Sequence, residues 1–237
     1  MAGHGGLING TWDGVVSPES RPNPNILKLN PMLQWEEAEE PLHAGIDPGP
    51  NGIGPGMPFA NLLLQKIPNY GIIGLVPCAV SGTSIILWQK GTILYNQLMD
   101  RAMAALQNGD GNGNENVIEA LLWYQGESDT TTLIDAKAYK ARLQQFIMDL
   151  RTDLNLPDLL VLQVALASGL GKISKSQYVE RVREAQLNIE LPNVKYVDAM
   201  GLPLQPDNIH LTTSAQVRLG NMLSHEFTAH QNSFADV

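Results

Sequence analysis

From Phe59 onward the chain alternates short runs of apolar, β-favouring residues with segments whose apolar positions recur at helical spacing, and this alternation constrains the fold more than any other feature. The strand-like runs fall at 72–76, 117–123, 159–164 and 194–197, and the helix-like segments at 60–66, 93–106, 136–154, 177–189 and 214–230. Strands that are apolar on both faces and separated by helices bury themselves as βαβ units in a parallel sheet. The expected fold is therefore α/β, a three-layer α/β/α arrangement. No repeat recurs along the 237 residues and no linker divides the α/β part, so one domain is expected over 1–237. Its first part, 1–58, is crowded with Gly, Pro and Asn and reads as loop, ordered or disordered; 59–237 reads as the α/β core.

Composition narrows the partners. Lys and Arg number 15 against 24 Asp and Glu, a formal charge of −9, and no two basic residues are adjacent, so the basic patch that a nucleic acid needs is missing. The run Glu36-Glu37-Ala38-Glu39-Glu40 reads as a solvated face. The longest apolar run, 72–80, is broken by Gly74 and Pro77 and is far shorter than the roughly 20 residues of a membrane helix, so no membrane partner is expected. Cys78 stands alone and can form no internal disulfide, which leans toward a reducing, cytoplasmic compartment. The Asn-Gly-rich stretch 108–114 resembles a calcium loop only in its alternate Asp110, Asn112 and Asn114; Glu115 and Leu121 stand where the turn glycine and the bidentate carboxylate belong. It reads as an exposed helix-to-strand connection. No HxH, HExxH or paired-cysteine spacing occurs, so neither a metal nor another cofactor is expected.

In open parallel sheets ligands bind beyond the carboxyl ends of the strands, which singles out three stretches. Cys78-Ala79-Val80-Ser81-Gly82-Thr83-Ser84 is a small-residue loop whose N–H groups could approach a ligand, or a plain strand-to-helix turn. Tyr124-Gln125-Gly126-Glu127-Ser128-Asp129 packs an amide, a glycine and two carboxylates into six residues at a strand end. In Asp207-Asn208-Ile209-His210-Leu211 an Asp precedes a His by three residues, so the carboxylate can fix one imidazole nitrogen and aim the other at a nucleophile. The same pentapeptide would also suit an Asp that caps a turn beside a satisfied histidine. His4, His43, His225 and His230 have no comparable partner nearby in sequence.

Three motifs together, Ser81-Gly82-Thr83-Ser84-Ile85, Trp123-Tyr124-Gln125-Gly126-Glu127-Ser128-Asp129 and Asp207-Asn208-Ile209-His210-Leu211, resemble the sialate O-acetylesterase and acetylxylan-esterase-like branch of the SGNH hydrolases, carbohydrate esterase family 6, in its plant form. The resemblance extends over nearly the whole chain, through Trp12-Asp13-Gly14-Val15-Val16 and Gly54-Pro55-Gly56-Met57. It implies an SGNH/flavodoxin-like sheet and a hydrolase that removes acetyl groups from sugar hydroxyls by acyl transfer from a serine. By the same resemblance His210 is the general base, Asp207 its orienter, the Gly82 N–H and the Gln125 amide donors of the oxyanion hole, and Glu127 and Asp129 supports of the loop. The implied partner is an acetylated carbohydrate or another small ester, a neutral substrate that suits a sparsely charged protein. Nothing in the sequence sets the oligomeric state.

Two departures from the family pattern matter. Ser81-Gly82 replaces a glycine pair, which narrows the pocket unless the hydroxymethyl points away. The family's first motif reads Gly-Gln-Ser-Asn-Met-Ala-Gly, whereas this chain starts Met1-Ala2-Gly3, so the nucleophile and the first strand are expected ahead of Met1, in a chain truncated at its N-terminus. Ser81, Ser84 and Ser128 are poor substitutes, since attack from another strand would need base and donors to realign, and a misplacement of about 1 Å costs about 100-fold. The alternative is a sugar-binding or interaction protein that keeps the pocket without turnover. Without its first strand such a sheet would expose unpaired edges and tend to aggregate.

Overall fold

The computed structural model describes residues 2–107, 116–169 and 178–235. In chain order the elements are β1 (Leu7–Ile8), β2 (Thr11–Trp12), β3 (Ile26–Leu29), β4 (Trp35–Glu37), α1 (Gly56–Lys66), β5 (Ile73–Leu75), α2 (Ile93–Gln107), β6 (Ala120–Trp123), α3 (Leu133–Asp153), β7 (Leu160–Ala165), α4 (Val179–Leu187), β8 (Val194–Asp198) and α5 (Thr213–Ala235). The α/β class is as the alternation predicts. The stretch 108–114 lies outside the described residues, as does Gln177. The chain divides into two units, 1–81 with 211–237, and 82–210.

In the first unit, β3 is the central strand of a three-stranded sheet, antiparallel to β4 and parallel to β5, with Ile26 opposite Ile73 and Lys28 opposite Leu75. Ile26 and Leu29 are fully buried. Residues 1–58 are thus more than loop: they supply four strands, two of them in the short hairpin β1–β2. β3 escapes a sequence reading because its four residues fall between Pro24 and Pro31, where turn signals dominate. α1 starts four residues earlier than its apolar period suggests, because Pro58 fits a first helical turn, where no N–H bond is lost. Helices α1 and α5 meet through Phe59 and Phe227, edge to face at 5.8 Å.

The acidic run divides by the geometry of β4. Glu36 and Glu37 are exposed on that strand, and Glu36 pairs with Lys28 at 3.6 Å. Glu40 instead turns inward and is only 8% exposed, accepting from the Leu42 N–H at 3.0 Å and the Gly54 N–H at 3.3 Å. Burial pushes its pKa from 4.5 to about 7, against the pull of those two N–H groups and of Lys28. The reading of the whole run as a solvated face fails at this residue.

In the second unit, β6, β7 and β8 form a parallel sheet in that order, and all six residues of the central β7 are buried. Thr132 caps α3 by accepting from the Asp135 N–H at 3.1 Å, which starts the helix at Leu133 rather than at 136. Trp123 stacks against Trp88 and Phe146 at 5.3 and 4.5 Å, sealing β6 under α3. At the far end of α3 the buried Arg151 donates to the carbonyls of Leu159 and Pro192, both at 2.7 Å, and fixes the loops that enter β7 and β8.

Candidate active site

The turn beyond β8 builds a histidine–carboxylate pair from a few adjacent residues. Gln205 N–H donates to the His210 carbonyl at 2.7 Å, and Asn208 takes a left-handed φ of 58° that Asn tolerates, so the chain folds back on itself. Asp207 Oδ1 then accepts from the N–H groups of Ile209 and His210, at 2.8 and 3.0 Å. Its Oδ2 accepts from His210 Nδ1 at 2.7 Å. A carboxylate can only accept, so Nδ1 carries the proton and Nε2 is left as the basic nitrogen. Partial burial raises the Asp207 pKa, but the N–H donors of Ile209 and the bonds from His210 outweigh it and hold the carboxyl below its usual range.

The loop beyond β6 encloses Gln125. Its backbone carbonyl accepts from Tyr139 Oη and Gln186 Nε2, both at 2.8 Å. Its side-chain Nε2 donates to Asp129 Oδ2 at 2.7 Å and to the Thr83 carbonyl at 2.9 Å. Both amide hydrogens are therefore engaged. Gly126 makes this packing possible: at φ 139° a Cβ would lie 2.9 Å from Gln186 Nε2 and 3.1 Å from the Tyr139 hydroxyl. Asp129 is fully buried and also accepts from the Ile85 N–H at 2.9 Å, so it ties the segment after Gly82 to Gln125. Burial raises its pKa to about 6, opposed by the donors Gln125 and Ile85. Glu127 contributes a carbonyl that accepts from Thr130 Oγ1 at 2.7 Å within the turn Glu127–Thr130.

Gly82 is exposed and left-handed, with φ 71° and open space where a Cβ would point. Among the described residues no partner is recorded for its N–H. Gly82, Gln125, Glu127 and Asp129 thus come together through the Thr83 carbonyl and the Ile85 N–H. The Asp207–His210 pair is linked to them through the chain after β7: the Leu166 N–H donates to Gln186 Oε1 at 2.9 Å, and Ser168 Oγ donates to the Ile209 carbonyl at 2.6 Å. Among the described residues no group of three or more His, Cys, Asp or Glu is placed to hold a metal ion.

The first unit carries a cluster that its sequence does not announce. Ser81 Oγ donates to the buried Asp47 Oδ2 at 2.5 Å, and the Ser81 N–H to Oδ1 at 3.2 Å. Since the serine proton points to Asp47, His4 Nε2, 2.9 Å from Oγ, is the donor in the second bond. His4 thus has a polar partner, a hydroxyl rather than the carboxylate that Asp207 gives His210, and His225 Nδ1 accepts from Lys66 Nζ at 2.8 Å. Ser81 stands 77 positions from His4 and 34 from Asp47, so no local spacing could have revealed the cluster. The Tyr139 and Gln186 supports of Gln125 were also invisible in sequence, because they come from α3 and α4.

Comparison with known proteins places the chain in a family. A probable carbohydrate esterase of Arabidopsis thaliana is 46% identical over 235 residues, 96% of this chain and 86% of that protein. A crystal structure of an Arabidopsis thaliana protein superposes with a TM-score of 0.89 at 45% identity, covering 97% of this chain and 93% of that one. A carbohydrate acetylesterase from Xanthomonas citri shares the fold, with a TM-score of 0.61 at 21% identity over 84% of this chain and 47% of its own. A model of the family described as carbohydrate esterase, sialic acid-specific acetylesterase, matches residues 1–229, and the chain belongs to that family.

Proposed function

We propose that this chain carries the base and the oxyanion donors of a carbohydrate O-acetylesterase of the plant type, in carbohydrate esterase family 6, working by Ser-His-Asp acyl transfer within one domain. The observation that carries the reading is the Asp207–His210 pair, with Nδ1 held at 2.7 Å and Nε2 left basic. His210 takes the serine proton as the serine attacks the acetyl carbonyl, then returns it to the departing sugar hydroxyl. Water then attacks the acyl-serine with the same help and releases acetate.

The negative oxygen of each tetrahedral intermediate is met by the Gly82 N–H and by Gln125. Of the two Gln125 hydrogens, one stays on Asp129 and the other leaves the Thr83 carbonyl for the oxyanion. A donor of this kind contributes about 2.7 to 4 kcal/mol to the barrier reduction. Asp129, joined to Ile85 and Gln125, and Glu127, through its carbonyl, support the loop. By the resemblance, the nucleophile is the serine of the family's Gly-Gln-Ser-Asn motif.

The test compares this chain with a form extended by a strand and Gly-Gln-Ser-Asn, on p-nitrophenyl acetate and on acetylated xylo-oligosaccharides. The extended form is expected to release acetate, and His210→Ala to reduce its kcat by at least 1,000-fold, the order seen when a triad member is lost. Full turnover in the His210→Ala variant would refute the assignment.

A further inference from the structure

Gln125 has two ends of nearly equal size, and its neighbours decide which end points where. Two groups face its Nε2, the Asp129 carboxylate at 2.7 Å and the Thr83 carbonyl at 2.9 Å. Both only accept, so together they demand the NH₂ end. The other end, Oε1, lies 3.3 Å from the Tyr139 hydroxyl, whose one proton it shares with the Gln125 backbone carbonyl at 2.8 Å. Asp129 Oδ2 also accepts from the Ile85 N–H, three residues after Gly82. One buried carboxylate therefore holds both segments from which donors project toward the ester oxygen.

We propose that Asp129, in its ionised form, is the positioning residue that sets the Gln125 amide and the segment after Gly82 in register for oxyanion binding, so that proton uptake at this one carboxyl switches the site off. The proposal rests on the reading of Gln125 as a donor. A carboxylate accepts N–H bonds roughly twice as strong as a neutral acceptor does, and a protonated Asp129 would also turn an O–H toward a nitrogen that has no lone pair to offer. Both effects loosen Gln125 and Ile85 together.

The charges around Asp129 leave it as the responsive group. From α3 it faces Asp135 and Arg142, which pair with each other at 2.9 Å and act on it with opposite sign, and Tyr139, which burial keeps neutral. The segment 82–88 brings no ionisable side chain. Burial places the Asp129 pKa at about 6, so the transition falls in a range where the fold can be studied.

The test is a pH titration by NMR of the full chain carrying ¹⁵N-glutamine and ¹⁵N-isoleucine, followed from pH 5 to 8. The Gln125 side-chain NH₂ and the Ile85 backbone N–H are expected to shift in one common step centred near pH 6, and the Ile85 step is expected to vanish in Asp129→Asn. The wild-type titration needs no variant to fold, and failure of these two groups to move together overturns the proposal at Asp129 itself. In the catalytically extended form, Asp129→Asn is expected to reduce kcat by about 100-fold with KM within about twofold. Common titration with kcat unchanged in Asp129→Asn would overturn the proposal through the Gln125 reading beneath it.

Discussion

Glu40→Gln isolates the energetics of a carboxyl that the fold buries at a cost. An acid whose pKa rises from 4.5 in the unfolded chain to about 7 in the fold binds its proton more tightly when folded. Its contribution to stability is therefore greatest below pH 4.5, is lost progressively as pH climbs toward 7, and is flat above that. The whole loss amounts to about 3 kcal/mol. Glutamine cannot ionise and removes the pH-dependence, but it offers one acceptor where Glu40 uses two oxygens, so either the Leu42 or the Gly54 N–H loses its bond at a cost of about 1 to 3 kcal/mol. The variant should thus be the less stable protein at pH 4.5 and draw level with, or overtake, the wild type at pH 8. Urea denaturation followed by tryptophan fluorescence at half-unit pH steps measures the difference, and subtraction removes every other titrating group common to both. A wild-type-minus-variant difference that stays constant to within about 0.5 kcal/mol across that range would refute the burial argument.

Gly126→Ala forces a side chain into φ 139° and within 2.9 Å of Gln186 Nε2, so a loss of about 3 kcal/mol or more is expected in the same urea assay. Ser81→Ala strips the buried Asp47 carboxylate of its hydroxyl donor and leaves it the N–H groups of residue 81 and Gly49; a loss of about 1 to 3 kcal/mol is expected, and Ser81→Thr should recover part of it. A Ser81→Ala protein as stable as the wild type would show that the cluster contributes nothing to the fold.

What the sequence discloses about this protein follows the range of the interactions concerned. β7 and α3 are legible because an apolar period over six to twenty residues leaves few other ways to bury a face. The Asp207–His210 pair is legible for the same reason, since the whole interaction fits inside a turn of adjacent residues. β3 is not legible: its four residues gain their strand geometry from β4 and β5, and Lys28 sits in it with its ammonium drawn to the Glu39 carbonyl. Glu40 looks like its exposed neighbours until the turn after β4 aims it at the Gly54 N–H, fourteen positions on. The amide, glycine and carboxylates of 124–129 mark a place, but the commitment of both Gln125 hydrogens depends on Thr83, 42 residues earlier.

That difference in range has a practical consequence for how the protein responds to heat. His210 and Asp207 are separated by three positions in the chain and travel together even when the surroundings loosen. Gln125 depends on partners 42 and 61 residues away, the first on its side-chain amide and the second on its backbone carbonyl, while Asp129, which holds that amide, reaches a backbone group 44 residues off. Long loops must stay closed for those bonds to persist, so mild heat should release the Gln125 side chain while the Asp207–His210 pair stays intact. Engineering for heat tolerance is then best spent on fastening the segment around Thr83 to the loop that bears Gln125, rather than on the histidine turn.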